Sequence, residues 1–224
     1  MRITVVYDNV SMVPGLKPSW GFSAVLQEGS TITLFDTGWD GRLLLSNLKA
    51  LGFNPSSIST VAISHSHWDH LGGLAALLAV NPEIKVYVPS SFSKNLKREI
   101  ASRAGMLVEV SKPTPISASL QSLGEFRAGG SLTEQFLLAS KNGEVLLLAG
   151  CAHPGLEAPL ERLERLKVGR LAGVVGGLHG FRSFHLLEGL RLIVPCHCTQ
   201  YKQEIARLYP QACKPCGIGL TLEF

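Results

Sequence analysis

Ten consecutive residues, Ser64-His65-Ser66-His67-Trp68-Asp69-His70-Leu71-Gly72-Gly73, restrict the folds open to this chain more than any other segment. Three of its seven histidines fall inside six positions. The cluster directly follows Thr60-Val61-Ala62-Ile63-Ser64, a run with the length and β-branched content of a buried strand, and precedes an apolar helical pattern from Leu71 to about Val80. At a strand end, residues i and i+2 project to the same side, so His65 and His67 can converge on one metal ion. The chain must then turn. Asp69 and His70, at the start of the following helix, can present a carboxylate and an imidazole to a second ion beside the first. Gly72 and Gly73 let that helix pack close to the strand. A polar surface loop does not assemble such ligand types directly after a buried strand, so the fold must bring a strand end and a helix start to a common cleft.

The remaining sequence can supply the scaffold. With 46% hydrophobic and 17% charged residues over 224 positions, the chain can build a sizeable core, which excludes a disordered protein and predicts one domain over residues 1–224. No window approaches the roughly 18 apolar residues of a membrane span, and the N-terminal apolar run is too short for a signal peptide, so a soluble, cytoplasmic protein is expected. Lys and Arg exceed Asp and Glu by 21 to 17 without forming blocks. Nucleic acid is therefore not an expected partner, whereas a small anionic substrate is. Five cysteines in a chain of this size do not read as a secreted disulfide framework.

The first half reads as strands at Ile3–Tyr7, Ser23–Gln27 and Thr31–Phe35, a helix over Gly41–Leu51, the strand and helix flanking the histidine cluster, a strand at Ile84–Val88 and a helix within Ser91–Arg103. A Pro- and Ser-rich connection, Ser111–Ser122, opens the second half. Strands are predicted at Phe126–Ala128, Leu132–Ser140 and Glu144–Ala149, the last two joined by the hairpin signal Asn142-Gly143. A helix at Leu156–Lys167, strands at Arg170–Val175 and Leu190–Val194, a helix near Gln203–Leu208 and a strand near Ile218–Glu223 complete the pattern. Two β-then-α halves of similar size predict an α/β fold with two packed sheets and helices outside, an αββα sandwich.

One short segment cannot fill two coordination shells. His153, in Gly150-Cys151-Ala152-His153-Pro154-Gly155, and His197, in Pro195-Cys196-His197-Cys198-Thr199, each follow a predicted strand and are the expected further ligands. His179, in Gly176-Gly177-Leu178-His179-Gly180, lies on a glycine-flanked loop and is expected to contact substrate, while His185 reads as a surface or packing residue. Cys151 is a candidate ligand that would favour zinc, or else a small buried apolar residue. If His197 faces the cleft, strand alternation turns Cys196 and Cys198 to the opposite face. There, with Cys213 and Cys216, they could form a structural zinc site or two disulfides, with one disulfide or free thiols the favoured reading.

Together the Phe35-Asp36-Thr37-Gly38 turn, the His65-x-His67-x-Asp69-His70 cluster and the later strand-end histidines resemble the metallo-β-lactamase superfamily over nearly the whole chain. The resemblance implies the αββα fold with a dinuclear centre at the sandwich edge. His65, His67 and His153 would hold one ion and Asp69, His70 and His197 the other, with Asp36 orienting a ligand histidine. Within the superfamily, Asp8-Asn9, Gly21-Phe22-Ser23, Gly150-Cys151-Ala152-His153-Pro154-Gly155, Gly176-Gly177-Leu178-His179 and His197-Cys198-Thr199 are most similar to the 7,8-dihydropterin-6-yl-methyl-4-(β-D-ribofuranosyl)aminobenzene 5′-phosphate synthase branch. Ala152 and Gln200 depart from that branch, which usually has Ser and Gly at these places. Cys151 stands where the wider superfamily commonly has an Asp that bridges the two ions.

The expected chemistry is metal-activated water acting on a phosphate-bearing or otherwise anionic small molecule. It would use two divalent ions, zinc or alternatively manganese or iron, with Asp69 and His179 central to catalysis. The synthase branch implies the alternative of group transfer. A diiron redox enzyme is the third reading, and it is disfavoured because His67 stands where such relatives carry Glu.

Overall fold

The computed structural model describes residues 1–224. The first half contains β1 (Arg2–Tyr7), β2 (Ser23–Glu28), β3 (Thr31–Phe35), α1 (Gly41–Ala50), β4 (Thr60–Ala62), α2 (Trp68–Leu71), α3 (Leu74–Val80), β5 (Lys85–Pro89), α4 (Lys94–Ala101) and β6 (Met106–Val110). The second contains β7 (Thr114–Pro115), β8 (Leu120–Gly129), β9 (Leu132–Lys141), β10 (Glu144–Ala149), α5 (Glu157–Leu166), β11 (Arg170–Gly177), β12 (Leu192–Cys196), α6 (Lys202–Leu208) and β13 (Thr221–Glu223). One sheet runs β13-β1-β2-β3-β4-β5-β6 and the other β12-β11-β10-β9-β8-β7. The C-terminal strand thus returns to the first sheet and pairs antiparallel with β1.

Near-continuous apolar strands are expected where both faces of a sheet are covered, and β10 follows that rule. Leu146 and Leu148 enter the core between the sheets with Phe22, Phe35, Leu137 and Val194. Leu147, pointing the other way, packs with Phe136, Leu163 of α5 and Ile205 of α6. In the first sheet Phe35 faces inward, whereas Leu34 packs under Leu44 and Leu48 of α1 and Leu77 of α3. Each fully buried leucine contributes about 1.5–3 kcal/mol through removal from water. The result is the expected sandwich of two sheets between two helical layers. None of its helices is long and apolar enough to cross a membrane.

Several boundaries differ from the sequence expectation. The strand β6 was not anticipated because Met106, Leu107, Val108 and Glu109 remain partly or largely exposed and show no clean alternation. The Pro- and Ser-rich connection ends early, as β7 and the start of β8 pair antiparallel within it. The helix after the histidine cluster begins at Trp68 and is broken at Gly72-Gly73. A Cβ on Gly73 would lie 3.2 Å from the Thr37 carbonyl carbon and 3.0 Å from Leu44, so the missing side chain is what lets this segment seat against the turn after β3. The parallel strands β3 and β4 in one sheet and β10, β11 and β12 in the other end at a common edge, the usual place for a ligand site in parallel α/β architecture.

Candidate metal centre

Each sequence-predicted ligand lies at that edge, just beyond a strand. His65 follows β4, His67 sits at the N-cap position of α2, and Asp69 and His70 lie in its single turn. Cys151 and His153 follow β10, and His197 follows β12. The edge of β4 is tied to the opposite sheet by the Gln135 N–H, which donates to the Ser64 carbonyl at 2.8 Å.

Two donor groups result. The ligand atoms of His65, His67 and His153 lie within 4.8 Å of one another, as do those of Asp69, His70 and His197. In the first group the ring centroids are 4.6, 4.7 and 4.8 Å apart. In the second, His197 Nε2 is 3.1 Å from Asp69 Oδ2, and Trp20 donates its indole N–H to the same oxygen at 2.7 Å. The His65 and His70 rings are 4.2 Å apart, so the groups adjoin.

The other ring nitrogens are held from behind. His70 Nδ1 lies 2.7 Å from Asp36 Oδ2, and that oxygen also accepts the Ser64 hydroxyl at 2.7 Å. Ser64 Oγ in turn lies 2.8 Å from His65 Nδ1. With Asp36 in its carboxylate form, which can only accept, one chain of bonds puts the protons of both rings on Nδ1 and leaves Nε2 as a lone-pair donor. Glu134 Oε2 lies 3.1 Å from His153 Nδ1, and Asn9 Oδ1 lies 3.0 Å from His197 Nδ1. His65 Nε2 is the one buried side-chain nitrogen or oxygen without a hydrogen-bond partner. A bare buried acceptor costs about 1–3 kcal/mol. A divalent cation would satisfy it, and an imidazole-rich donor set with one carboxylate fits such an ion.

Burial holds His65 well below the ordinary imidazole range and His70 at about 3, keeping both rings in the neutral, metal-binding form. Asp69 is held below the usual carboxylate range, because the His197 hydrogen bond and the adjacent His70 ring outweigh its burial. Burial drives Asp36 upward against the two bonds from Ser64. Backbone strain gathers here as well. Asp36, Ala152, His179 and His197 all have positive φ, at 58°, 52°, 30° and 46°, a conformation uncommon for non-glycine residues.

Two supporting residues were not singled out from sequence. Glu134, fully buried in β9, accepts the backbone N–H of Cys151, Ala152 and His153 at 2.8, 2.9 and 2.9 Å as well as facing the His153 ring. Its one sequence signal is a glutamate inside a strand otherwise destined for the interior. Asn9, quoted only as part of a motif, also receives the Gly21 N–H at 3.2 Å.

The cysteine expectation needs correction. Strand alternation ends at His197, whose positive φ reverses the chain, so Cys198 swings back towards the site instead of sharing a face with Cys196. Cys196 points into the inter-sheet core and forms a disulfide with Cys216, leaving Cys151, Cys198 and Cys213 free. The four-cysteine structural zinc site is therefore not formed. His179 is exposed at the rim, its ring 5.1 Å from that of His153, and His185 lies on the surface, as anticipated. Trp20, Trp39 and Trp68 are each about half exposed (51%, 51% and 53%). Trp20 packs edge-on against His197 and Trp39 against Trp68.

A family model described as the metallo-beta-lactamase superfamily matches residues 20–180. Among curated proteins, the 7,8-dihydropterin-6-methyl-4-(beta-D-ribofuranosyl)-aminobenzene-5′-phosphate synthase of Methanocaldococcus jannaschii is 25% identical over 230 residues, covering 76% of either chain. Among solved structures, one described as a metal-dependent hydrolase of the β-lactamase superfamily superposes with a TM-score of 0.81 at 26% identity, over 100% of this chain and 99% of that one. The metallo-β-lactamase-fold protein YhfI of Bacillus subtilis gives a TM-score of 0.75 at 11% identity over 99% of each chain, a likeness of fold alone.

Proposed function

The chain belongs to the metallo-β-lactamase superfamily, and from that premise we propose that it is a metal-dependent hydrolase-type enzyme acting on a small phosphate-bearing or otherwise anionic substrate. The observation that carries this reading is the pair of adjoining donor triplets with His65 Nε2 left bare between its neighbours. His65, His67 and His153 would hold one divalent ion and Asp69, His70 and His197 the other. Such ions supply Lewis acidity towards water and towards a substrate anion.

The chain's own residues do the rest. Asp36, Ser64, Glu134 and Asn9 fix ring orientation in advance, so the donors need not reorganise during reaction. Trp20 restrains the Asp69 carboxylate. His179, exposed and next to His153, would hold or pass a proton at a substrate oxygen. In a direct test, zinc-loaded protein should cleave a chromogenic phosphodiester, chelator should abolish the cleavage, and Asp69→Ala should be inactive. Failure of the loaded protein on phosphodiester, lactone and thioester substrates alike would defeat the hydrolase reading.

A second reading is group transfer of the kind named for the Methanocaldococcus jannaschii relative. Its support is the half-exposed Trp20 packed against His197, since an indole face suits stacking on a planar heterocycle. On that reading phosphodiester cleavage is slight, and turnover requires a dihydropterin donor together with the ribofuranosyl-aminobenzene phosphate acceptor.

A further inference from the structure

The six-residue donor set leaves the thiols of Cys151 and Cys198 unused. Their sulfurs are 3.2 Å apart, and Cys151 Sγ is 3.1 Å from His70 Nε2. Donor atoms of Cys151, His65 and His70 lie within 4.8 Å of one another, as do those of Cys151, His197 and Cys198. Cys151 therefore borders both triplets, whereas Cys198 shares a donor group only with Cys151 and His197.

The placement of the pair is built by the fold. Glu134 fixes the Cys151 backbone, and the reversal at His197 turns Cys198 inward. A Cβ on Gly177 would sit 2.9 Å from Cys198 Sγ and 3.1 Å from Cys151 Cα, so only a residue without a side chain leaves room for Cys198 there. Cys213, the third free thiol, belongs to no donor group.

From these contacts we infer that Cys198, together with Cys151, is a ligand of the ion that His197 holds. The two positions of the centre then differ in chemistry. One is an imidazole position, and the other is thiolate-rich and selects zinc-like ions over manganese. Each thiol releases its proton to solvent as its sulfur–metal bond forms. The inference rests on the reading that the cleft holds metal, and the experiment separates the two.

Cobalt(II) is the probe. Cobalt-loaded wild-type protein is expected to show thiolate-to-cobalt charge-transfer absorption in the near ultraviolet. Cys198→Ser should lose part of that band, and the Cys151→Ser/Cys198→Ser double variant should lose all of it while still taking up cobalt. Alkylation of the wild-type protein supplies a second readout that does not depend on the folding of a variant. Cobalt or zinc should protect the partly exposed Cys198 from iodoacetamide, while Cys213 labels equally with and without metal. Cobalt uptake without the band, equal labelling of Cys198 with and without metal, or a Cys151–Cys198 disulfide in the loaded protein would overturn the inference and leave the metal centre standing. No cobalt uptake by the wild type would overturn both.

Discussion

Replacing Glu134 with glutamine tests whether the centre is held together from behind. The carboxylate takes three backbone N–H groups and faces the His153 ring, all without solvent. In Glu134→Gln, Oε1 can still accept from Cys151 and Ala152, but an amide nitrogen replaces Oε2 and confronts the N–H and Nδ1–H of His153. Two contacts to a charged acceptor, at about 1.5–3 kcal/mol each, set an upper range of roughly 3–6 kcal/mol.

An independent route gives the low end. Burial opposes ionisation of Glu134, yet the His153 hydrogen bond, the nearby His65 ring and the Cys151 N–H hold it at about 2, below the ordinary 4.5. That depression corresponds to about 3 kcal/mol. A carboxylate whose folded pKa is depressed stabilises fully above its unfolded pKa and loses that contribution as pH falls through the folded one. The stability gap between wild type and Glu134→Gln, measured by urea unfolding of chelated protein, should thus be near 3 kcal/mol at pH 6 and shrink between about pH 4.5 and pH 2. Because His153 would lose its orientation, affinity for one of the two ions should also fall about 10–100-fold. A stability gap that is absent or does not change with pH, together with unchanged metal titration, would refute the claim that Glu134 positions His153.

Further outcomes follow from the same geometry. His67→Ala should retain about one equivalent of divalent metal where wild type retains two, as measured by elemental analysis; unchanged content would remove His67 from the donor set. His179→Ala should lower turnover of a true substrate with metal content intact, and loss of metal would show that the rim histidine is a ligand. Trp20→Phe keeps the edge-on contact with His197 but deletes the bond to Asp69 Oδ2. It should weaken metal binding about tenfold, the low end for losing an outer hydrogen bond to a ligand, and wild-type affinity in this variant would mean that the indole N–H does not restrain Asp69.

The sequence by itself determined what depends on short-range pattern. The period of the apolar residues gave most strands and helices and, through their order, the two-sheet sandwich. The spacing from His65 to His70 placed four donors at one strand end because side-chain direction over six residues is fixed by local geometry. His153 and His197 were found by the same rule, each just after an apolar strand. Tertiary structure alone decided the contacts that join distant segments. Glu134 reads as an ordinary strand residue until β9 passes beneath the turn after β10, and Asn9 is an unremarkable loop residue until β1 ends beside β12. Alternation misplaced Cys198 because it presumes a continuing strand. The positive φ at His197 is imposed by Asp8 and Asn9, which bind its backbone N–H, carbonyl and ring, and residues 188 or more positions away leave no trace in a local period.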